Sequence, residues 1–277
     1  MVKSWRLKGR EGAWPPIASF GRPRCHRSVT KVGAPLKKPL STGRVFVHDP
    51  SPLKSSDFFA LPPSLALFRA FFAAEAPPWD WVKQIAPALA AHGFGPAPKA
   101  PAGVHIEGNV FLGEGVSLPS HATIIGPVWI GAGTQIRPGA FIRGNVITGE
   151  GCVLGNSSEF KNCLLMDGVQ VPHFNYVGDS VLGNKAHLGA GAICSNLRLD
   201  QKNVFVLLES GSVDTGLKKF GAILGDGAEV GCNAVLNPGT FLGPRSLVMP
   251  AIAFGGILAA ETIARVRQHV TFVPRKF

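Results

Sequence analysis

The chain contains no uninterrupted apolar run of about 18 residues, so an ordinary membrane-spanning helix is excluded. Its beginning also lacks the continuous apolar core of a secretory signal. Charge is sparse at 16% while 45% of the residues are hydrophobic, which leaves ample material for a core and little for a disordered, self-repelling chain. Only one tyrosine is present, and the five cysteines include no CxxC pair and are odd in number. A disulfide framework and a zinc site are therefore not expected, and a reducing cytoplasm fits. Against these shortages stand 34 glycines and 23 prolines without a collagen-like period, the composition of a turn-dense β architecture.

The formal charge of +11 raises the question of nucleic acid, since clustered Lys and Arg release counterions from phosphates. Its distribution argues otherwise. Residues 1–43 hold ten basic residues against Glu11, a net +9, whereas residues 44–277 hold 18 against 16, a net +2. The body is nearly neutral, and no nucleic-acid surface is expected on it. Residues 1–43 carry scattered Pro and Gly with no hydrophobic period, so they read as a disordered basic leader. Residues 44–100 read as a small helical cap region, with two short helices separated by Pro77-Pro78, a stop at Gly93, and the open end of a solenoid to cover.

From Val104 the chain divides into sixes: VHIEGN VFLGEG VSLPSH ATIIGP VWIGAG TQIRPG AFIRGN VITGEG CVLGNS SEFKNC. The third positions are Ile106, Leu112, Leu118, Ile124, Ile130, Ile136, Ile142, Thr148, Leu154 and Phe160. All but Thr148 are apolar. The same register returns at Leu224, Val230, Leu236, Leu242 and Val248. Two separate runs of this length predict a β-solenoid over residues 101–277, in which stacked coils bury what no single coil could. Cys152 falls on a small-residue position as a compact filler. The stretch VPHFNYVGDS, residues 171–180, breaks the register, with Pro172 in the slot for an apolar residue; the pattern resumes at Leu182 and Leu188. In a rigid solenoid chemistry belongs to the outer surface, so side chains at a break are candidates for it.

The run FIRGNVITGEGCVLGNSSEFKNCLLMDGVQVPHFNYVGDSVLGNKAHLGAGAICSN, residues 141–196, resembles the hexapeptide-repeat acyltransferases with a left-handed parallel β-helix. The likeness is strongest to the acetyltransferase domain of the bifunctional glucosamine-1-phosphate acetyltransferase/N-acetylglucosamine-1-phosphate uridyltransferase. It is carried by an Arg, Gly-Asn, Glu-x-Lys, His-x-x-Tyr-x-Gly-Asp, Gly-Ala-Gly and a closing Asn. The resemblance implies that His173 is a general base, with Glu159 orienting its ring. An imidazole suits that work because it exchanges protons near neutral pH. The resemblance further implies that Arg143 and Lys161 meet the phosphate of an aminosugar phosphate, that Tyr176 adds a hydroxyl, and that Asn196 holds the sugar or the acyl carbonyl. Lys219 joins the acceptor site, and Gly189, Ala190, Gly191 and Cys232 line the thioester end of acetyl-CoA, the co-substrate. Homotrimers binding acyl-CoA between adjacent prisms are implied as well, with Arg265, Arg267, Arg275 and Lys276 candidates for the coenzyme phosphates.

Three departures accompany the likeness. The family's RPGA tetrad stands at Arg137-Pro138-Gly139-Ala140, six residues before the position the ungapped alignment gives to Arg143, and either arginine can serve. His187 replaces a sugar-contacting Asn of the family. An insertion at 197–218 reads as a hairpin or arm reaching from the prism. No Gly-rich loop with its Lys is present, so no pyrophosphorylase activity is expected. The resulting expectation is acetyl transfer to an aminosugar phosphate on the path to UDP-N-acetylglucosamine. Two other readings stand beside it: a non-catalytic solenoid that binds sugar nucleotides or scaffolds partners, and a zinc carbonic anhydrase using His105, His121 and His187. The separations, 16 from His105 to His121 and 14 from His173 to His187, do not reproduce the spacing of that zinc family.

Overall fold

A computed structural model describes residues 53–208, 210–267 and 270–275. The leader, residues 44–52 and Lys276 lie outside the described residues. The fold is the left-handed parallel β-helix of hexapeptide type, mainly β with a short helical segment ahead of it. Each coil visits three faces in turn. The first face carries strands Val104–Glu107 and Ala122–Ile125, then Ile193–Cys194, Val235–Leu236 and Ala253–Phe254. The second carries Val110–Leu112, Val128–Ile130, Ala222–Leu224, Thr240–Leu242 and Ile257–Leu258, and the third runs from Gln135–Ile136 to Ile263–Ala264. Between them, the long strands Phe141–Thr148, Glu159–Leu165 and Tyr176–Leu182 bend from the first face onto the second.

Every strand of the three faces pairs in parallel with its counterpart one coil away, about 4.8 Å distant. The third-position residues point inward. Ile124, Ile130, Ile142, Leu154 and Phe160 are fully buried in one continuous apolar column. The polar exception, Thr148, is buried too, and its hydroxyl accepts the Gly131 N–H at 3.0 Å. Cys152 fills the interior as a small apolar group. Burial pushes its thiol and that of Cys194 up to about 12, so both remain protonated.

The break in register has a simple cause. Coils advance by 18 residues at first, as Val104 opposite Ala122 and Phe141 opposite Glu159 show, but Glu159 opposes Tyr176 and Tyr176 opposes Ile193, an advance of 17. One residue is lost at a corner, where Gly144-Asn145 of one coil is matched by Asn162 alone in the next. Asn145, Asn162 and Asp179 turn this corner at φ of 58°, 48° and 49°, a left-handed conformation that short polar side chains tolerate. The interior slot therefore belongs to Val171, opposite Leu154 and fully buried, not to Pro172.

The region before the solenoid differs from the expected end cap. It forms 3-10 turns at Ser55–Asp57 and Pro63–Phe68 and one α-helix, α1, at Pro78–Ala90. Pro78 sits at the start of α1, where its missing N–H costs nothing, and Asp80 complements the dipole there. Trp81, Val82, Ile85, Ala88 and Leu89 recur at helical spacing and are buried. They pack not on an open end but along the flat second face, against Ile147, Leu164, Val181, Ile223 and Phe241. Strands of that face are apolar on both sides, so the outer side needs a cover.

The insertion contains the expected hairpin, Phe205–Leu208 antiparallel to Gly211–Asp214. Its Val204 and Val206 join the same second core. The close approach requires Gly239, where a Cβ would stand 2.6 Å from Val204 Cγ1.

Candidate active site

Among the described residues no helix covers the first face, and its outward side chains form register columns. Phe141, Glu159, Tyr176 and Ile193 stand in one column and Arg143, Lys161 and Gly178 in the next. At the corner toward the second face, Asn162, Asp179 and Asn196 follow one another at intervals of 17. At the other corner, toward the third face, His173 stands above Asn156. The short coils thus bring to one face most of the polar side chains singled out in the sequence.

The corner at His173 answers why a histidine, an asparagine and the sole tyrosine share one break. His173 ends a third-face strand and is exposed; Phe174 turns the corner at φ 54° with its ring 60% exposed; Tyr176 starts the first-face strand. Between them Asn175 points inward in a column held elsewhere by Ala140, Ser158 and Ala192. Its amide donates to the Gly189 and Ala192 carbonyls at 2.8 and 3.1 Å and accepts the His173 N–H at 3.1 Å. A buried amide with three partners costs little to bury and fixes the backbone that carries the imidazole.

The partners of the expected catalytic pair differ from expectation. Glu159 does not hold the His173 ring: its carboxylate receives Arg143 Nε and Nη2, each at 2.7 Å. The ring's neighbour is Arg137, whose Nη1 lies 3.5 Å from His173 Nε2 after reaching across two coils. Arg137 Nε also donates to Gln135 at 2.9 Å. Lys161 is likewise paired, its Nζ 2.8 and 3.0 Å from the two oxygens of the buried Asp179. Of the three cations near this face, Arg137 alone has no carboxylate partner among the described residues.

Tyr176 Oη accepts a hydrogen bond from Asn196 Nδ2 at 3.0 Å. Burial raises the phenol's pKa above its ordinary value, with the Asn196 bond pulling the other way. Gly178 makes room for this pair, since a Cβ there would meet Tyr176 Oη at 2.5 Å and Asn196 Nδ2 at 2.7 Å.

Gly189, Ala190 and Gly191 lie one coil beyond His173, where the Gly191 N–H donates to the His173 carbonyl at 3.0 Å. Cys232, exposed, follows on the next coil, beside Ala190, whose carbonyl accepts the Asn233 N–H. The two glycines are enforced by close coils: a Cβ at Gly189 would stand 2.7 Å from the Cys232 nitrogen, and one at Gly191 2.2 Å from Asn233 Oδ1. The result is a low shelf one coil beyond the His173 backbone.

Other candidates fall elsewhere. His187 lies on the third face in the column of Gln170 and Glu229, apart from the Lys161 and Tyr176 cluster. Lys219 is exposed at the root of the hairpin, bridged to Leu197. His105 stands by Glu107 and His121 by Ser120, each distant in register from His187. Arg265 and Arg267 follow the last strand, in the exposed C-terminal segment that also carries Arg275. Sequence reasoning gave no role to Asp179 or Asn175, although the 17-residue spacing of Asn162, Asp179 and Asn196 was there to be read.

The coils that carry this face resemble known proteins. A family model described as the GMPPB C-terminal domain matches residues 124–248. The bifunctional protein GlmU of Methanococcus vannielii is 35% identical over 145 residues, 52% of this chain and 35% of that protein. A bifunctional sugar-1-phosphate nucleotidylyltransferase/acetyltransferase of Sulfurisphaera tokodaii is 36% identical over 147 residues, covering 53% of this chain and 37% of the relative. The uncharacterized acetyltransferase YaiX of Escherichia coli is 33% identical over 145 residues, covering 52% of this chain and 63% of that protein. The chain thus spans little more than a third of the bifunctional relatives.

Proposed function

We propose that this protein transfers the acetyl group of acetyl-CoA to the amine of an aminosugar phosphate of the glucosamine 1-phosphate type, in the cytoplasm and as a homotrimer, toward UDP-N-acetylglucosamine. The observation that carries the reading is the exposed His173 imidazole at the rim of an uncovered face bearing Arg143, Lys161 and Tyr176. The neutral amine attacks the thioester carbonyl. His173 accepts the proton the nitrogen sheds as the C–N bond forms. The C–S bond then breaks, and the departing thiolate takes a proton back. Such a base is worth about 10²–10⁴ in rate. The shelf of Gly189, Ala190 and Gly191 leaves room for the thioester arm beside the imidazole. Arg137 stands ready to bond an anion without first leaving a carboxylate, while Glu159 holds Arg143 over the face.

A second reading draws on one observation: Arg143 and Lys161 both stand in closed ion pairs, as they would in a solenoid that binds sugar nucleotides without chemistry. Thiol release from acetyl-CoA, measured across a panel of aminosugar phosphates, separates the two. Turnover that depends on glucosamine 1-phosphate supports the transferase. Sugar phosphates that bind with no thiol released establish the scaffold instead.

A further inference from the structure

Asp179 is the most heavily engaged polar side chain of the first face, although the acetyl-transfer chemistry assigns it no task. It is 3% exposed at the corner between the first and second faces. Lys161 Nζ donates to both of its oxygens, Asn162 Nδ2 donates to Oδ1 at 2.8 Å, and Asn196 Nδ2 donates to Oδ2 at 2.5 Å. The same Asn196 nitrogen donates to Tyr176 Oη. Three successive coils are therefore gathered on one carboxylate.

We propose that Asp179 is a positioning residue that sets the direction of hydrogen bonding in the acceptor site, an inference that rests on reading this face as that site. A carboxylate only accepts, so Asn196 must present its NH₂ end to the corner. That NH₂ then meets Tyr176 from the lone-pair side. The tyrosine oxygen is used as an acceptor, and its own hydrogen points outward to an oxygen of the acceptor substrate. Burial favours the protonated phenol that this donation requires. Lys161 is held in parallel: two of its three N–H groups serve Asp179, and the third is free for a ligand anion. The absent side chain at Gly178 keeps the relay open. Asp179 touches no substrate itself.

The Asp179→Asn variant keeps the shape but supplies an amide that both donates and accepts, so Asn196 can reverse and Tyr176 loses its outward hydrogen. Glucosamine 1-phosphate is the probe, measured by calorimetric binding and by KM in the acetyl-transfer assay. The expected result is a loss of about 10- to 100-fold in both, with binding of acetyl-CoA unchanged. Coupling distinguishes positioning from mere stability. Tyr176→Phe should cost about tenfold in wild type and less than threefold in the Asp179→Asn background. Should Asp179→Asn fail to fold, Asn196→Ala removes the bridge between Asp179 and Tyr176 while leaving the Asp179 carboxylate its bonds to Lys161 and Asn162, and it must show the same coupling. Wild-type affinity in Asp179→Asn, or effects that multiply independently in either background, overturns the proposal while leaving the acceptor site intact. A wild-type protein that neither binds nor acetylates glucosamine 1-phosphate overturns the site reading, and the proposal with it.

Discussion

In the middle coils of this solenoid the first and second faces are made by the same strands yet present opposite surfaces. Where Phe141–Thr148, Glu159–Leu165 and Tyr176–Leu182 run along the first face, they alternate buried residues with Arg143, Glu159, Lys161 and Tyr176. Past the corner the alternation stops. Ile147, Leu164 and Val181 face outward and are completely buried under the helical segment. One strand thus carries outward polar side chains at its start and a docking surface at its end, divided by the column of Asn162, Asp179 and Asn196. A stiff prism can afford ion pairs and a left-handed Phe174 on one side because its fold is secured by the interior and the other side.

The sharpest way to break this contrast is to place a charge on each face. Val181→Asp buries an unpaired carboxylate between the prism and its cover and should cost more than about 3 kcal/mol, lowering the melting temperature by about 6–12 °C. Thr123→Asp, outward on the first face, should stay within about 0.5 kcal/mol. Equal losses in thermal melts would mean that the faces do not differ as described.

Next in size is Arg137, the cation without a carboxylate. Arg137→Ala should raise the acceptor KM about 10- to 100-fold through one lost charge-assisted contact, with melting unchanged. An unaltered KM would move the anion to Arg143 and Lys161.

The smallest effect concerns Tyr176, whose titration can be followed alone because the chain has no other tyrosine. Its folded pKa is raised above the unfolded value of about 10. Folding therefore holds the phenolic proton more tightly, a contribution fully present below pH about 10 and lost as pH climbs from there to the folded pKa. Tyrosinate absorbance in the native protein should rise later than in denaturant. Coincident curves would place Tyr176 in open solvent.

The solenoid was legible in the sequence because six-residue periodicity directly records which side chains point inward. That Glu159, Lys161 and Tyr176 stand together on one face was also within reach, through the resemblance carried by Glu-x-Lys and His-x-x-Tyr. The partners were not. Which cation meets which carboxylate depends on side chains one or two coils apart, and the residue lost at Asn162, opposite Gly144-Asn145, moves the interior slots of the faces that follow it back by one. That shift is why Pro172 was given the slot that Val171 fills. The cover was misplaced for a related reason. Its apolar helix was plain in the sequence, but its berth is revealed only when the middle residues of Val146-Ile147-Thr148, Cys163-Leu164-Leu165 and Ser180-Val181-Leu182 are stacked and seen to be apolar together.

The central claim is that proton transfer for acetylation takes place at the corner where the uncovered face begins. Its most direct test compares wild type with His173→Ala in thiol release from acetyl-CoA with glucosamine 1-phosphate, both proteins shown to be equally folded. The account predicts a loss of about 10²–10⁴ in kcat with little change in acetyl-CoA affinity. A variant that turns over at the wild-type rate would contradict it.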